Sequence, residues 1–324
     1  MAGGPSTPAL AAAVSQAGGL GFVAGGYLTA QQLADDITAA RSATTGPIGV
    51  NLFVPQPSCA DIVLLDEYAD MLDPLAEHYG VEIGRPRFGD DDCWPEKFEV
   101  IADLRPTVVS FTFGAPSTKD LHLLQSLRIL TAVSVTTVRE AGIALSHGAE
   151  TLVVQGPRAG GHRATFAPEI RPAQDPLETL LSQIEQVHGR VPLVAAGGLS
   201  TAAEVSKVLD GAVAAAQVGT ALLLAHEAGT HPTHRAALSN PEFTNTTVTC
   251  AFSGRYGRGL ENDFSRAFDD IAPVGYPEIN HMTAPIRAAA AAIDDPHGTS
   301  LWAGTGYRRA RSAPAAEIVS ALTP

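Results

Sequence analysis

The residues best suited to chemistry in this sequence lie close together in Val153–Phe166, VVQGPRAGGHRATF. There a buried-strand pattern breaks at Gln155-Gly156-Pro157, passes a glycine pair and presents His162 beside Arg163 and Thr165. An imidazole with an unperturbed pKa of ~6.5 exchanges protons near neutrality, so His162 is a candidate general base or hydrogen-bond donor to an anionic substrate. A loop histidine bonded to a backbone carbonyl is the structural alternative. Gly160-Gly161, which lets backbone come close to a ligand, favours the chemical reading. Two other short runs, VAAGGLS (194–200) and AQVGT (216–220), place Gly197, Gly198 and Gly219 where a strand gives way to a helix. Bare backbone N–H groups at such points bind phosphate, although turn and packing glycines look the same in sequence. Asn51, Gln155 and Gln217 each put a side-chain amide into an otherwise apolar strand. An unsatisfied buried amide costs about 1–3 kcal/mol, so these three bond to one another, to water, or to a flat heterocycle rich in donors and acceptors, such as a flavin.

The elements that must position these residues follow from hydrophobic runs and their breakers. Ala9–Ala17 is made of strong helix formers, follows Ser6-Thr7-Pro8 and stops at Gly18-Gly19, as a helix does. Seven apolar runs end in Gly, Pro or small polar residues: 21–26, 47–55, 107–114, 129–137, 150–156, 192–198 and 212–220. They are near-continuous rather than alternating, the pattern of parallel strands covered on both faces. Helical stretches lie between them, among them Ala30–Ser42, Glu67–Tyr79, Ser117–Leu127, Thr137–His147, Pro176–Val187 and Thr201–Leu209. Strict βα alternation means an open doubly wound sheet or a (β/α)8 TIM barrel. The chain opens on a Met1-Ala2-Gly3-Gly4 loop leading into a helix, and a truncated strand ahead of that loop brings the count to eight, so the barrel is expected. Residues 1–224 form the barrel in this reading, 225–275 a small α-rich insertion, and 276–324 C-terminal helices that return to it.

Barrel enzymes carry their working residues at strand C-termini. Asn51, Gln155, His162, Gly197-Gly198 and Gln217–Thr220 all meet that condition.

Bulk properties exclude several classes. Asp and Glu number 34 against 21 Lys and Arg, a formal charge of -13 that repels phosphate backbones and argues against nucleic acid. Cys59, Cys93 and Cys250 are odd in number and have no CxxC spacing, so neither a disulfide framework nor a zinc site is indicated, and a reducing cytoplasm is expected. No apolar run spans a membrane, and the N-terminus lacks the basic stretch of a secretory signal. His226, His231 and His234 lack a carboxylate-rich context and are read as surface residues, with no metal assigned. GxSxG, GxxxxGK[ST] and HExxH are all absent, which removes the main support for serine-hydrolase, NTP-hydrolysing and zinc-protease readings.

MAGGPSTPALAAAVSQAGGLGF, GVNLFVP, SFTFG, QGPRAGGHRATF, PLVAAGGLS, QVGTALL, the FSGRYGRGLENDF region and SLWAGTGYRRA, taken in order, resemble the flavin-dependent nitronate monooxygenases, formerly 2-nitropropane dioxygenases. The resemblance runs over nearly the whole chain; AGGH and MAGGPSTP are its specific parts. It implies non-covalent FMN and oxidation of alkyl nitronates by O2 to a carbonyl compound and nitrite. It also implies FMN contacts from Asn51, Gln155, Gly160, Gly198, Gln217, Val218, Gly219 and Thr220, the last four and Gly198 nearest the phosphate. Met1–Gly3 would line the other side of the flavin, and His162 would be the residue at the substrate. Two features depart from the family pattern: the first strand ahead of MAGG, and a glutamate shortly before AGGH whose place Pro157-Arg158 takes. Arg158 and Arg163 would then favour an anionic substrate.

Two other functions fit the same residues: an FMN barrel passing electrons from NAD(P)H to a quinone or enoyl thioester, and a flavin-binding protein without turnover. If His162 is the substrate base, His162→Ala or His162→Asn keeps FMN while severely lowering turnover of neutral nitroalkanes, measured as nitrite release; wild-type rates would remove His162 from the chemistry.

Overall fold

A computed structural model describes residues 1–211 and 213–324; Ala212, the first residue of the last expected strand run, lies outside the described residues. The N-terminal helix is α1 (Pro8–Gln16), capped by the Thr7 side chain, which accepts the Leu10 N–H, with Pro8 in the first turn where its missing N–H has no partner to lose. The chain continues through β1 (Gly21–Ala24), α2 (Ala30–Ser42), β2 (Ile48–Phe53), α3 (Ile62–Tyr79), α4 (Trp94–Leu104), β3 (Val108–Thr112), α5 (Thr118–Ser126), β4 (Leu130–Val135), α6 (Val138–His147), β5 (Thr151–Gln155), β6 (Gly161–His162), α7 (Leu177–His188), β7 (Leu193–Ala196), α8 (Ala202–Leu209) and β8 (Val213–Gln217). All seven apolar runs contribute a strand. Helix α3 begins at Ile62 rather than Glu67 because Asp61 accepts the Val63 N–H and starts it early, and α4 has no counterpart among the helices read from sequence.

The seven strands form one parallel sheet in the order β1-β2-β3-β4-β5-β7-β8. Each pairs with the next, the geometry of a barrel wall; among the described residues no eighth strand joins β1 to β8. The seam is visible in burial, since Ala214, Ala215 and Gln217 of β8 are exposed whereas Leu152, Val153 and Val154 of β5 are buried. Helices cover the outer face, with Leu33, Ile37, Ile101, Leu121, Leu124 and Ile184 packing on Val50, Val109, Val133 and Val154. The strands therefore lose alternation because their outer faces are as dry as their inner ones.

Residues 225–275, expected to be α-rich, also contain two strands. Beside the short helices α9 (Pro232–Ser239) and α10 (Asp263–Phe268) stand β9 (Thr246–Thr249) and β10 (Gly257–Leu260), ahead of α11 (Glu278–Ala292) and α12 (Ala315–Leu322). Strand β10 begins within the GRYGRG segment and lies between β9 and β6 in a small antiparallel sheet, with Gly257 opposite His162. A second core then joins this region to α3: Leu65, Tyr68 and Leu72 pack with Phe252, Phe264, Phe268, Ile279, Met282 and Ile286. The Tyr68 hydroxyl anchors it by donating to Ala251 O at 2.8 Å.

Among the described residues no helix is long and apolar enough to cross a membrane, and no group of three or more His, Cys, Asp and Glu is placed to hold a metal ion.

Leu72 is fully buried in the second core. Leu72→Ala should destabilise the protein by about 2–5 kcal/mol, read as a lower thermal midpoint; an unchanged midpoint would mean that this core contributes nothing to the fold.

Candidate active site

The loop that carries His162 is fastened at both ends by groups the sequence offered for other purposes. Gln155, last residue of β5, accepts the Ala164 N–H on Oε1 at 3.0 Å and donates from Nε2 to His162 O at 3.1 Å. Arg163, fully buried, reaches back to donate to Gly156 O at 2.5 Å and Gln155 O at 3.3 Å, while its backbone N–H bonds Tyr256 O at 2.7 Å. Gly160 is needed because a Cβ there would run into the backbone of Ala303 and Gly304, so a neighbouring loop already makes the close approach expected of a cofactor.

His162 sits in a ring of aromatic side chains. Its imidazole centroid is 5.8 Å from that of Phe113, 5.6 Å from Tyr276 and 5.1 Å from Trp302. Nε2 lies 2.8 Å from Ser253 Oγ, and Ser253 Oγ lies 3.1 Å from Arg255 O. When that hydroxyl donates to the carbonyl it accepts from Nε2–H, which leaves Nδ1 with a lone pair; in the other neutral tautomer the hydroxyl donates to Nε2 and Nδ1–H is a donor. Burial, and then the positive charges of Arg255 and Arg287, push the His162 pKa down from 6.5 to about 3. At neutral pH the ring is therefore uncharged.

Two of the surrounding aromatic residues are held in left-handed backbone: Tyr27, just beyond β1, at φ 68°, and Phe113, just beyond β3, at φ 78°. Bulky residues adopt that region at a cost of about 1–3 kcal/mol, which marks the strand C-terminal edge as a place where side-chain aim outweighs backbone comfort. The Tyr276 hydroxyl donates to that of Tyr27 at 3.2 Å. The Tyr276 phenol is pushed above its ordinary pKa, chiefly by desolvation, and stays neutral.

Gly198, Gln217, Val218, Gly219 and Thr220 come together as expected, lining one cavity with Gly197, Ser200 and Gly306. Gly197 and Gly198 have φ of 102° and 82°, a conformation that turns successive backbone groups out of the strand and that side chains resist. Thr220 Oγ1 accepts the Gly304 N–H at 2.9 Å, tying this cavity to the loop that touches Gly160, and Met1 lies beside Gly219. Ser200 donates to Glu204 from N and Oγ, and Arg309 bonds both Ser200 and Glu204 at 3.0 Å, balancing that carboxylate.

Asn51 stands apart on β2. Its Nδ2 donates to Ser110 Oγ at 2.9 Å, Thr112 Oγ1 at 3.0 Å and Ser110 O at 3.2 Å, which fixes the amide orientation. Arg158 does not face His162: its stem packs on Gly198 and its charge is felt by Glu178. With Arg163 held by loop carbonyls, the positive charge at the histidine comes instead from Arg255 and Arg287, neither foreseen from sequence. Ser253, Phe113, Tyr276 and Trp302 were also missed as partners of His162. His234, taken for a surface residue, is buried, and its pKa falls to about 4, mainly through desolvation.

Sheet and site together define a barrel-type α/β enzyme in which groups beyond the strand C-termini and from the C-terminal region gather around one uncharged histidine. The chain belongs to the nitronate monooxygenase family, an oxidoreductase family whose profile matches residues 1–324. It is 37% identical to a nitronate monooxygenase of Pseudomonas aeruginosa PAO1, over 98% of this chain and 92% of that one. A nitronate monooxygenase of Paraburkholderia phytofirmans is 34% identical over 98% of this chain and 88% of its own length. The crystal structure of a nitroalkane oxidase from Streptomyces ansochromogenes superposes with a TM-score of 0.94 at 40% identity, covering 99% and 92% of the two chains. FabK from Thermotoga maritima, at TM-score 0.74 and 22% identity over 99% of this chain and 89% of its own, shares the fold.

Because the folded-state pKa of His162 is depressed, the unfolded chain binds more protons between about pH 6.5 and 3, and stability falls as pH drops through that window. His162→Asn should flatten this acid-side loss, measured by urea midpoints from pH 7 to 4; an unaltered slope would mean His162 is not held neutral.

Proposed function

We propose that this protein oxidises alkyl nitronates with O2 to a carbonyl compound and nitrite, using non-covalently bound FMN. The observation that carries the reading, beyond family membership, is the uncharged His162 between Ser253 and three aromatic rings, with positive charge beside it. The residues fit a flavin mononucleotide. Left-handed Gly197-Gly198 and the Gly219-Thr220 turn frame a cavity suited to a phosphate, and Asn51 holds a fixed amide at the edge of the same sheet. FMN held there supplies the electron acceptor, with O2 as the terminal oxidant.

The protein's own part is binding and proton placement. With a neutral nitroalkane, Nδ1 of His162 takes the α-proton while Nε2–H stays on Ser253 Oγ. With a preformed nitronate no base is needed: in the neutral tautomer that carries its proton on Nδ1, Nε2 accepts from the Ser253 hydroxyl and Nδ1–H donates to the anion. The Phe113, Tyr276 and Trp302 rings limit water around the reacting carbon, which strengthens each of these interactions. Gln155 and Arg163 hold the histidine in place through the loop, and their side chains need not touch substrate.

The test is direct. Purified protein should show flavin absorption and should consume O2 and release nitrite when a pre-ionised nitroalkane is added. Flavin bleached anaerobically by NADH but not by nitronate would instead favour a reductase, and a flavin-loaded sample releasing no nitrite would overturn the proposal.

A further inference from the structure

Arg255 is 1% exposed, and among the described residues neither it nor Arg287 has a carboxylate at ion-pair distance. Its guanidinium carbon lies 3.9 Å from the centre of the Phe113 ring and 5.9 Å from that of Tyr276, the two rings that flank His162. One Nη donates to Thr165 O, and Nε has no hydrogen-bond partner. Glu140, whose field reaches Arg255, is engaged with the backbone and hydroxyl of Thr136 and the Phe166 N–H at 2.6–2.9 Å. Arg287, half-buried on α11, donates to Thr283 Oγ1 at 3.1 Å and to Asn280 Oδ1 at 2.8 Å. A buried cation without a counter-ion carries a desolvation penalty of several kcal/mol, and the cation–π contact with Phe113 offsets only part of it. In a chain with net charge -13, this buried cation and the half-buried Arg287 converge on the one histidine pocket.

We propose that Arg255, seconded by Arg287, is the fixed counter-charge of the site, holding the anionic substrate beside His162 from behind Phe113 and Tyr276. The inference rests on the proposed reading, in which the substrate is an anion. Arg255 touches the rings rather than the reacting atoms, so it is a positioning residue. Its charge works in two ways: it attracts the nitronate, and it disfavours a second positive charge on His162. The charged or titratable groups facing that imidazole are Arg255 from the loop after β9, Arg287 from α11 and the neutral Tyr276. No acid is among the charges that shift His162.

Charge is separated from shape by comparing Arg255→Gln, which can keep the bond to Thr165 O, with Arg255→Lys, which keeps the charge. Two measurements on the flavin-loaded protein need no turnover: the His162 titration by NMR, and the affinity for nitrite read from perturbation of the visible spectrum. Arg255→Gln should raise the His162 midpoint by about one pH unit and weaken nitrite by about tenfold, and Arg255→Lys should restore both. Wild-type values in the Gln variant, or a Lys variant as impaired as Gln, would overturn the proposal. Should Arg255→Gln fail to fold, Arg287→Gln must shift both readouts in the same direction, and no shift there would overturn it equally. A wild-type protein that gives these responses yet oxidises no nitronate would refute the activity while leaving the counter-charge in place.

Discussion

The amide of Gln155 closes two hydrogen bonds over the loop that leaves its own strand, and the placement of His162 depends on them. One end holds the carbonyl of His162, the other the N–H of Ala164. From the opposite side Arg163 takes the carbonyls of Gln155 and Gly156, so the turn is clamped by its own neighbours. Losing either partner would strand buried polar groups at about 1–3 kcal/mol each. A βα loop in a barrel is ordinarily free to vary; this one is held, and pairing of His162 with Gly257 carries the constraint into the C-terminal region. Ser253 belongs to that same region, so the histidine's position and its proton-sharing partner are fixed together.

Electrostatics follow from the same construction. Strand β10 and the turn before it bring Arg255 under Phe113, and α11 brings Arg287 toward the same pocket. Glu140, whose field reaches Arg255, is engaged with the backbone and hydroxyl of Thr136, and Glu204 is matched by Arg309. The result is a positive, poorly hydrated pocket with an uncharged base, in a protein whose overall field is negative. Bulk charge therefore bears on which macromolecules approach, while the sign at the site is set by a few buried residues.

Much of the sheet was legible because parallel strands covered on both faces leave uninterrupted apolar runs, and each of the seven runs contributes a strand. The glycine cradle was legible for the same reason: Gly197-Gly198 and Gly219 break such runs at fixed places, and the structure gathers them with Gln217, Val218 and Thr220. Long-range partners were not. Nothing in the spacing of GRYGRG shows that it pairs with Gly161-His162, since a two-residue strand has no periodicity of its own, and so Ser253 and Arg255 went unassigned. Arg158 and Arg163 were given the substrate charge because they are adjacent to His162 in sequence. Yet neighbours along an extended segment point to opposite faces, and Arg163 accordingly points back into the loop while Arg158 packs on Gly198.

Ser253 explains how one histidine can meet two forms of substrate. Its hydroxyl has a fixed acceptor in Arg255 O and a second neighbour in the His162 ring, so it can partner either neutral tautomer, accepting from Nε2–H or, once the ring proton has exchanged to Nδ1, donating to Nε2. A base that accepts a proton on Nδ1 and a donor that steadies an anion through Nδ1–H are the same ring in its two neutral tautomers. A charged imidazolium is disfavoured by Arg255 and Arg287, so a proton taken from a neutral substrate does not rest there comfortably unless a negative charge is formed beside it. Abstraction of a proton creates that charge in the same step, and the arginines that oppose imidazolium in the empty pocket are opposed in turn by the nitronate once it exists.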